Sequence, residues 1–389
     1  MMGIPLKNIA LSLLLLLAFG VARLPLERSI EEDLREQHYV DDAVGLSMMD
    51  QLGQGGFAAA LGGYRPLVAN IYYLIAHGQA FDQEEWGRVD QTFGLVTTLQ
   101  PRSSFYKEQH IWQIGWNAYA WARGEADYQR RLGNDWKAAT LEDFTAPGYI
   151  QRAEEIALKG AETAPDNYRF FQRVGDLYDQ KLDDQLGAAR WYQKGSEIDG
   201  APGFMHRIFV VLLARSKQAD DEAYPLLQER YWGDGPRDRS PSVRVLMEQV
   251  EDRLGARMLE EEGVEAVRRR AESDPDNYFY RATLAKHYAE MADEPRRAME
   301  IYRAMVDSGG QVPEYYKMKW ALLAAGFPEY EVAAYRTLRE FLAESRRRLT
   351  PEEAAIIQPL EERVRDRLNL PEEALLFPGK SDPGTAGSE

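Results

Sequence analysis

The chain of 389 residues carries 47 basic and 63 acidic side chains, which gives a formal net charge of −16. This acidic balance argues against a nucleic-acid-binding protein, because such proteins need a basic surface to displace counterions from phosphates. The sequence contains no cysteine, which excludes disulfides, cysteine nucleophiles, thiolate zinc sites and a lipidated N-terminal cysteine.

The first segment carries an uncharged apolar run, IALSLLLLLAFGVA at residues 9–22, between Lys7 and Arg23. The run is shorter than the ~20 residues of a typical spanning helix and is also typical of a signal-peptide core. We therefore predict a signal or transmembrane anchor at residues 1–25, with membrane contact through residues 4–24. One interpretation is an uncleaved single-pass anchor in a bacterial inner membrane, with the soluble part outside the cytoplasm. The alternative is cleavage near Ala22 and a secreted or periplasmic protein.

Residues 26–66 are expected to form a juxtamembrane helix and a glycine-rich segment. Apolar residues between Ile30 and Leu52 follow helical spacing. Residues 53–58 match G-x-G-x-x-A superficially, but a phosphate-binding loop follows a strand, and here the preceding segment reads as helical. We interpret this segment as a region of close helix packing or a bend near the membrane.

The remainder reads as helices separated by prolines, and no stretch alternates for long enough to indicate a strand. Two similar segments, ETAPDNY at 162–168 and ESDPDNY at 272–278, lie 110 residues apart. This offset is about three units of a 34-residue helix-turn-helix repeat. Each segment is followed by a small residue, an aromatic residue and a second small residue. They are Gly175, Tyr178 and Gly187 in the first copy, and Ala285, Tyr288 and Ala298 in the second.

On these residues the sequence resembles the tetratricopeptide repeat (TPR) family. The order of Gly62–Leu67, Leu99–Pro101 and Gly115–Tyr119 is also similar to that of uncharacterised bacterial membrane-anchored TPR proteins. The resemblance implies an all-α, right-handed solenoid of helix-turn-helix pairs, and it supplies no catalytic residue.

Within this frame the chain divides into two arrays and their terminal segments. We predict an N-terminal array at 67–232 with an insertion at 124–148 between two helices of one repeat. The loop at 233–240 separates it from a C-terminal array at 241–348. A capping helix at 349–377 and a disordered tail at 378–389 complete the prediction.

No residue pattern indicates catalysis, a cofactor or a metal. The five histidines lie far apart, and none stands four residues from another; they are His38, His77, His110, His206 and His287. Adjacent acids such as Asp183 and Asp184 point to different faces of a helix and are usually solvated. We therefore predict a protein that is not an enzyme, with no cofactor and no metal site.

Two sets of residues are candidates for binding. Trp112, Trp116 and Trp121 form a candidate aromatic platform for a sugar or a peptide side chain, and Trp121 is expected to be the most exposed. Core packing is the alternative interpretation, because Trp112 and Trp116 share one helical face with Tyr119.

The repeat frame also predicts a concave groove lined by the first helix of each pair. The candidate groove residues are Arg169, Gln172, Asp176, Asp179 and Lys286, with Phe279, Ala282 and Ala289 at equivalent positions. TPR proteins that bind C-terminal carboxylates use lysine and asparagine where this chain has Gln172, Asp176 and Gln180, so such a clamp is not predicted. An acidic groove suits a basic or polar partner. An ordinary solvated helix face is the alternative.

These observations predict a membrane-tethered or exported scaffold that binds a protein partner, for example in cell-envelope assembly. No nucleic-acid partner is expected. The alternative is a helical protein that binds or processes envelope polysaccharide, and a structural spacer without a specific ligand is a third hypothesis.

Overall fold

The computed structural model describes residues 64–82, 86–234, 240–308, 311–345, 349–368 and 376–377. The predicted anchor, the helix expected at 30–52 and the tail at 378–389 lie outside the described residues. Within the described ranges every regular element is a helix, so the prediction of an all-α chain is confirmed there. None of these helices is both long enough and apolar enough to cross a membrane.

The chain divides into two compact units, residues 1–212 and 213–389. The boundary expected from sequence was the loop at 233–240, which lies later in the chain. That loop connects α10 (Asp220–Trp232) and α11 (Pro241–Glu262), which pack against each other. The helices on either side of the loop therefore belong to one unit.

The first unit is built from successive helices that pack on their neighbours. They are α1 (Arg65–Asp82), α2 (Trp86–Leu99), α3 (Ser104–Ile111), α4 (Tyr119–Arg131), α5 (Asp135–Thr140), α6 (Ala146–Thr163), α7 (Arg169–Leu177) and α8 (Gln185–Ser196). The next helix, α9 (Phe204–Ser216), contains the division between the units. Three π-helical stretches continue these elements: Trp112–Ala118 joins α3 to α4, Leu141–Thr145 joins α5 to α6, and Tyr178–Leu182 extends α7.

The residues expected as an insertion at 124–148 are helical. They lie in α4, in α5 and at the start of α6. These segments lengthen the two arms of one helical hairpin. The buried residues along this extension include Ala122, Ala126 and Ala138. Because alanine contributes little apolar area, the helical periodicity of the segment is weak in the sequence.

The second unit continues the same pattern of neighbouring pairs. Its helices are α10 (Asp220–Trp232), α11 (Pro241–Glu262), α12 (Val264–Ser273), α13 (Tyr278–Glu290), α14 (Pro295–Asp307), α15 (Tyr315–Ala324), α16 (Glu331–Ser345) and α17 (Pro351–Leu368). Helices two apart along the chain also touch, as α11 does with α13 and α15 with α17. Successive first helices of the pairs therefore lie side by side in these two places.

The small and aromatic residues of the repeats meet as their spacing predicts. A Cβ atom added to Gly187 of α8 would collide with the Tyr178 ring, and one added to Gly175 would lie 2.7 Å from the Tyr192 ring. In the second unit Tyr288 and Ala298 share one core cluster with Leu284. Close approach of paired helices therefore depends on these small side chains.

Candidate functional site

The second unit contains a cavity of about 450 Å³, here called the second-unit cavity. Most of its lining comes from α11, α13 and α15, the first helices of successive pairs. The lining residues are Glu251, Asp252, Gly255, Ala256, Leu259, Glu260, Val264, Phe279, Ala282, Thr283, Lys286, His287, Glu290, Met291, Tyr302, Tyr316 and Lys319.

Most of the wall of this cavity is apolar. Leu259, Phe279 and Tyr302 contribute large side chains, and Met291 is 77% exposed. Cavities lined mainly by apolar side chains with a few placed polar groups are typical binding sites for small molecules and side chains.

Two lysines at the cavity are paired with carboxylates of α11. The Lys286 ammonium lies 3.0 Å from Asp252, and the Lys319 ammonium lies 3.2 Å from Asp252 and 3.3 Å from Glu248. Burial acts to lower the pKa of Lys319, but Glu248 and Asp252 outweigh it and raise the pKa above its ordinary value. Both lysines are therefore already paired with carboxylates of α11.

Two further carboxylates, Glu260 and Glu290, line the same cavity and are exposed. Neither forms an ion pair within the described part of the chain. Because the two lysines are matched by Asp252 and Glu248, these carboxylates leave the cavity mouth with an excess of negative charge. The arrangement suits an apolar group that carries a positive charge beside it.

Behind the cavity wall a buried carboxyl group, Glu251, is enclosed by tyrosines. Its side chain is 3% exposed and accepts hydrogen bonds from Tyr278 and Tyr316 at 2.7 Å each, from Tyr224 at 3.2 Å, and from Tyr315. Burial raises the pKa of Glu251 and outweighs these hydrogen bonds, which favour the ionised form. We call this group the Glu251 cage; its hydroxyls come from α10, α13 and α15.

The residues predicted to line the groove are divided between the two units. Phe279, Ala282 and Lys286 line the second-unit cavity, whereas Ala289 is not among its lining residues. Arg169 is exposed in the first unit, and Gln172, Asp176 and Asp179 are half-buried there. The Tyr192 hydroxyl donates to Asp176 at 2.6 Å, yet burial keeps the pKa of Asp176 above its ordinary value.

The three tryptophans of the candidate platform do not form one surface. Trp112 and Trp116 stack with ring centroids 4.8 Å apart, and the Lys181 ammonium lies 4.7 Å from the Trp116 ring. Trp112 is 38% exposed, whereas Trp121, expected to be the most exposed, is half-buried. The π-helical stretch Trp112–Ala118 changes the angular spacing, so residues beyond it do not fall where α-helical spacing places them.

Trp121 instead lines a cavity of about 590 Å³ in the first unit, here called the first-unit cavity. The other lining residues are His77, Ala80, Phe81, Trp86, Gln113, Asn117, Ala120, Gly124 and Glu125. Aromatic and uncharged polar side chains thus share this wall. Sequence reasoning missed the site because it is assembled from α1, α2 and the long helix that contains Trp112–Ala118.

A chain of hydrogen bonds fixes the polar groups of the first-unit cavity. The Asn117 amide donates to Gln113 Oε1 at 2.8 Å, and Gln113 Nε2 lies 3.3 Å from His77 Nδ1. Because burial lowers the pKa of His77, its ring is neutral at neutral pH, and Gln113 donates to Nδ1. The ring hydrogen therefore lies on Nε2.

Two buried nitrogens at this cavity have no hydrogen-bond partner among the described residues: Nε2 of His77 and Nε1 of Trp86. Both are donors, since the indole N–H can only donate. A buried donor without a partner costs about 1–3 kcal/mol. Neither atom has appreciable accessible surface, so both donors lie behind the lining of the cavity.

A histidine–aspartate pair also lies in the first unit but is inaccessible. His110 Nε2 lies 2.6 Å from Asp90, which also accepts from Arg152 at 2.9 Å. His110 is fully buried and stacks on Phe93. The pair therefore stabilises the core and does not present a base to a substrate.

Within the described residues no group of three or more histidine, aspartate or glutamate side chains is arranged to hold a metal ion. No protein-family model matches the chain, and no curated protein is significantly similar to it.

Proposed function

We propose that the chain is a TPR-like adaptor that binds a segment of a partner protein in the second-unit cavity. The observation that carries the proposal is an apolar cavity lined mainly by the first helices of successive pairs. Helical-repeat proteins use such surfaces to bind extended partners. A right-handed TPR superhelix is part of this proposal and is supported by the neighbouring pairs and by the small–aromatic contacts.

The chemistry of the cavity defines the partner segment. An apolar side chain fits beside Leu259 and Phe279, and a lysine or arginine next to it meets Glu260 and Glu290. The lysines of the wall are paired with Asp252 and Glu248, so they do not attract an acidic segment. We therefore propose a basic, amphipathic segment as the ligand.

The proposed location is a bacterial inner membrane, with the helical part outside the cytoplasm. Support comes from the apolar run at residues 9–22, which lies outside the described residues. Export after cleavage near Ala22 remains the alternative within this proposal.

The experiment begins by identifying the partner in cells. A photo-crosslinking amino acid replaces Met291 at the cavity in the full chain, and Ala333, an exposed residue of α16 outside the cavity, provides the matched control position. We expect a partner that crosslinks from position 291 and not from position 333. Equal crosslinking from both positions, or from neither, would contradict the proposal.

Binding of that purified partner is then measured by calorimetry with the full chain. Ala256 is exposed on α11 and lines the cavity, so Ala256→Phe fills it without disturbing the core. We expect binding at least ten-fold weaker for Ala256→Phe and unchanged for Ala333→Phe. The double variant Glu260→Gln, Glu290→Gln should also bind the partner more weakly. Its affinity should depend less on salt concentration than that of the unaltered chain. An Ala256→Phe chain that binds like the unaltered protein would overturn the assignment.

A further inference from the structure

We propose that the first-unit cavity is a second binding site and that its ligand is a neutral carbohydrate of one or two sugar rings. The proposal concerns a different unit from the second-unit cavity and does not depend on the partner proposed there. It rests on the residues of the wall, on their hydrogen-bonding state and on the charge of the site.

The first step of the argument is the combination of side chains. Trp121 and Trp86 line the cavity together with Asn117, Gln113 and Glu125. A sugar ring has apolar C–H faces, which pack on indole rings, and a periphery of hydroxyl groups, which need donors and acceptors. A purely apolar ligand would leave the remaining hydrogen-bonding positions of Asn117 and Glu125 unmatched.

The second step is the pattern of donors and acceptors. The Asn117 amide uses one donor toward Gln113, and Glu125 accepts from Gln129 at 2.7 Å. The carboxylate and the Asn117 carbonyl retain further acceptor positions. Hydroxyl groups match this mixture because each one both donates and accepts.

The third step is charge. His77 is neutral, and Glu125 is the one formally charged residue among those lining the cavity. A phosphate or carboxylate ligand would meet no cation in this wall and would be repelled by Glu125. The wall therefore selects an uncharged ligand and excludes an acidic sugar.

The test uses chitobiose, cellobiose and maltose as probes with the purified full chain in detergent. Saturation-transfer NMR identifies binding, and calorimetry measures the affinity. We expect at least one of the disaccharides to bind with a Kd of about 1 mM or tighter. If none of the three binds, the proposal is overturned.

A blocking variant locates the site. Gly124 lines the cavity, and a Cβ atom added there meets nothing within 4 Å, so Gly124→Phe places a ring in the cavity without strain in the helix. Gly148 of α6 has the same open surroundings but does not line the cavity, so Gly148→Phe is the matched control. We expect binding at least ten-fold weaker in Gly124→Phe and unchanged in Gly148→Phe.

Two further variants separate this site from other surfaces. Asn117→Ala should weaken binding of the sugar, while Ala256→Phe in the second unit should leave it unchanged. Sugar binding that survives Gly124→Phe but is lost in Trp112→Ala would assign the ligand to the exposed tryptophan stack and overturn the proposal. Circular dichroism confirms that each variant is folded.

Discussion

The Glu251 cage shows how one side chain can organise several helices. A carboxyl group on α11 holds tyrosine hydroxyls from α10, α13 and α15 in a buried site. Removing one partner of such a group would leave a buried polar atom unsatisfied. The cage therefore couples the ionisation of one residue to the packing of the second unit.

The raised pKa of Glu251 predicts the direction of a pH effect on stability. Its folded pKa lies above the ordinary value of 4.5, so its stabilising contribution is complete below that pH and is lost as the pH rises through the folded pKa. As the pH rises above 4.5, the second unit should lose about 1.4 kcal/mol of unfolding free energy for each unit by which the folded pKa of Glu251 exceeds its ordinary value. Glu251→Gln keeps the size of the side chain and should remove this slope.

Two measurements test the predicted pH dependence of stability. The first is urea unfolding of the full chain, and the second is hydrogen exchange in peptides of α11 and α15. Glu260→Gln is the control, because it removes an exposed carboxylate from the same helix. Tyr224, Tyr278, Tyr315, Tyr316 and Lys319 face Glu251 and are unchanged in both variants. An identical pH slope in the Glu251→Gln chain and the unaltered chain would refute the assignment.

At the scale of elements, the hairpin formed by α4 and α5 depends on its tip. Gly133 has a φ of 78°, in the left-handed region that glycine favours. The Asn134 N–H donates to Gln129 O at 2.9 Å and the Gly133 N–H to Arg130 O at 3.0 Å. These two bonds form a Schellman motif that ends α4 and turns the chain into α5.

Gly133→Ala should therefore destabilise the first unit, by about 1–2 kcal/mol, because a side chain disfavours the left-handed conformation. Gly148→Ala is the matched control, since that glycine lies in a helix with open space around it. It should be neutral or stabilising by up to about 1 kcal/mol. The thermal unfolding midpoints of the two variants test this prediction. Equal midpoints would contradict the role of Gly133 in ending α4.

Much of the helical pattern could be predicted from local sequence. Proline positions and helical spacing indicated the repeats that begin at Tyr168 and Tyr278. Gly187 was expected to receive Tyr178, and the contact is present. These features depend on residues close together in the chain, so local periodicity carries the information.

The binding sites were harder to predict for physical reasons. The hydrogen bonds of the Glu251 cage join residues between 27 and 65 positions apart, and no local pattern reports such contacts. Trp121 was grouped with Trp112 and Trp116 and expected to be the most exposed of the three, but it is half-buried and lines the first-unit cavity. Phe279, Ala282 and Lys286 line one cavity because one regular helix positions all three.

At the scale of the whole molecule, the half-buried Asp90 of the first unit and the buried Glu251 of the second unit have opposite pKa shifts. Burial acts to raise the pKa of Asp90 in the first unit, but His110 and Arg152 outweigh it and hold the pKa below its ordinary value. In the second unit, the pKa of Glu251 is raised. The units should therefore respond to pH in opposite directions through these two groups.

For Asp90 the stabilising contribution is present above its ordinary pKa of 3.8 and is lost as the pH falls through the folded value. Asp90→Asn should lower the protection of α2 and α6 against hydrogen exchange at neutral pH. This loss of protection against hydrogen exchange should become smaller as the pH is lowered. Hydrogen-exchange mass spectrometry, corrected for intrinsic rates, reads the two units separately. Asp143→Asn changes an exposed carboxylate of the same unit and serves as the control, and an equal deficit at all pH values would contradict the prediction.

The Glu251 cage also has a consequence for how binding specificity could change over time. The cage fixes the spacing of α11, α13 and α15 before any ligand arrives, whereas Met291, Glu260 and Glu290 at the mouth take no part in it. Under the proposed function, substitutions at the mouth would alter which partner binds without altering the scaffold beneath. Descendants of this chain could exchange partners through a few surface substitutions, while the tyrosines and the carboxyl group stay the same.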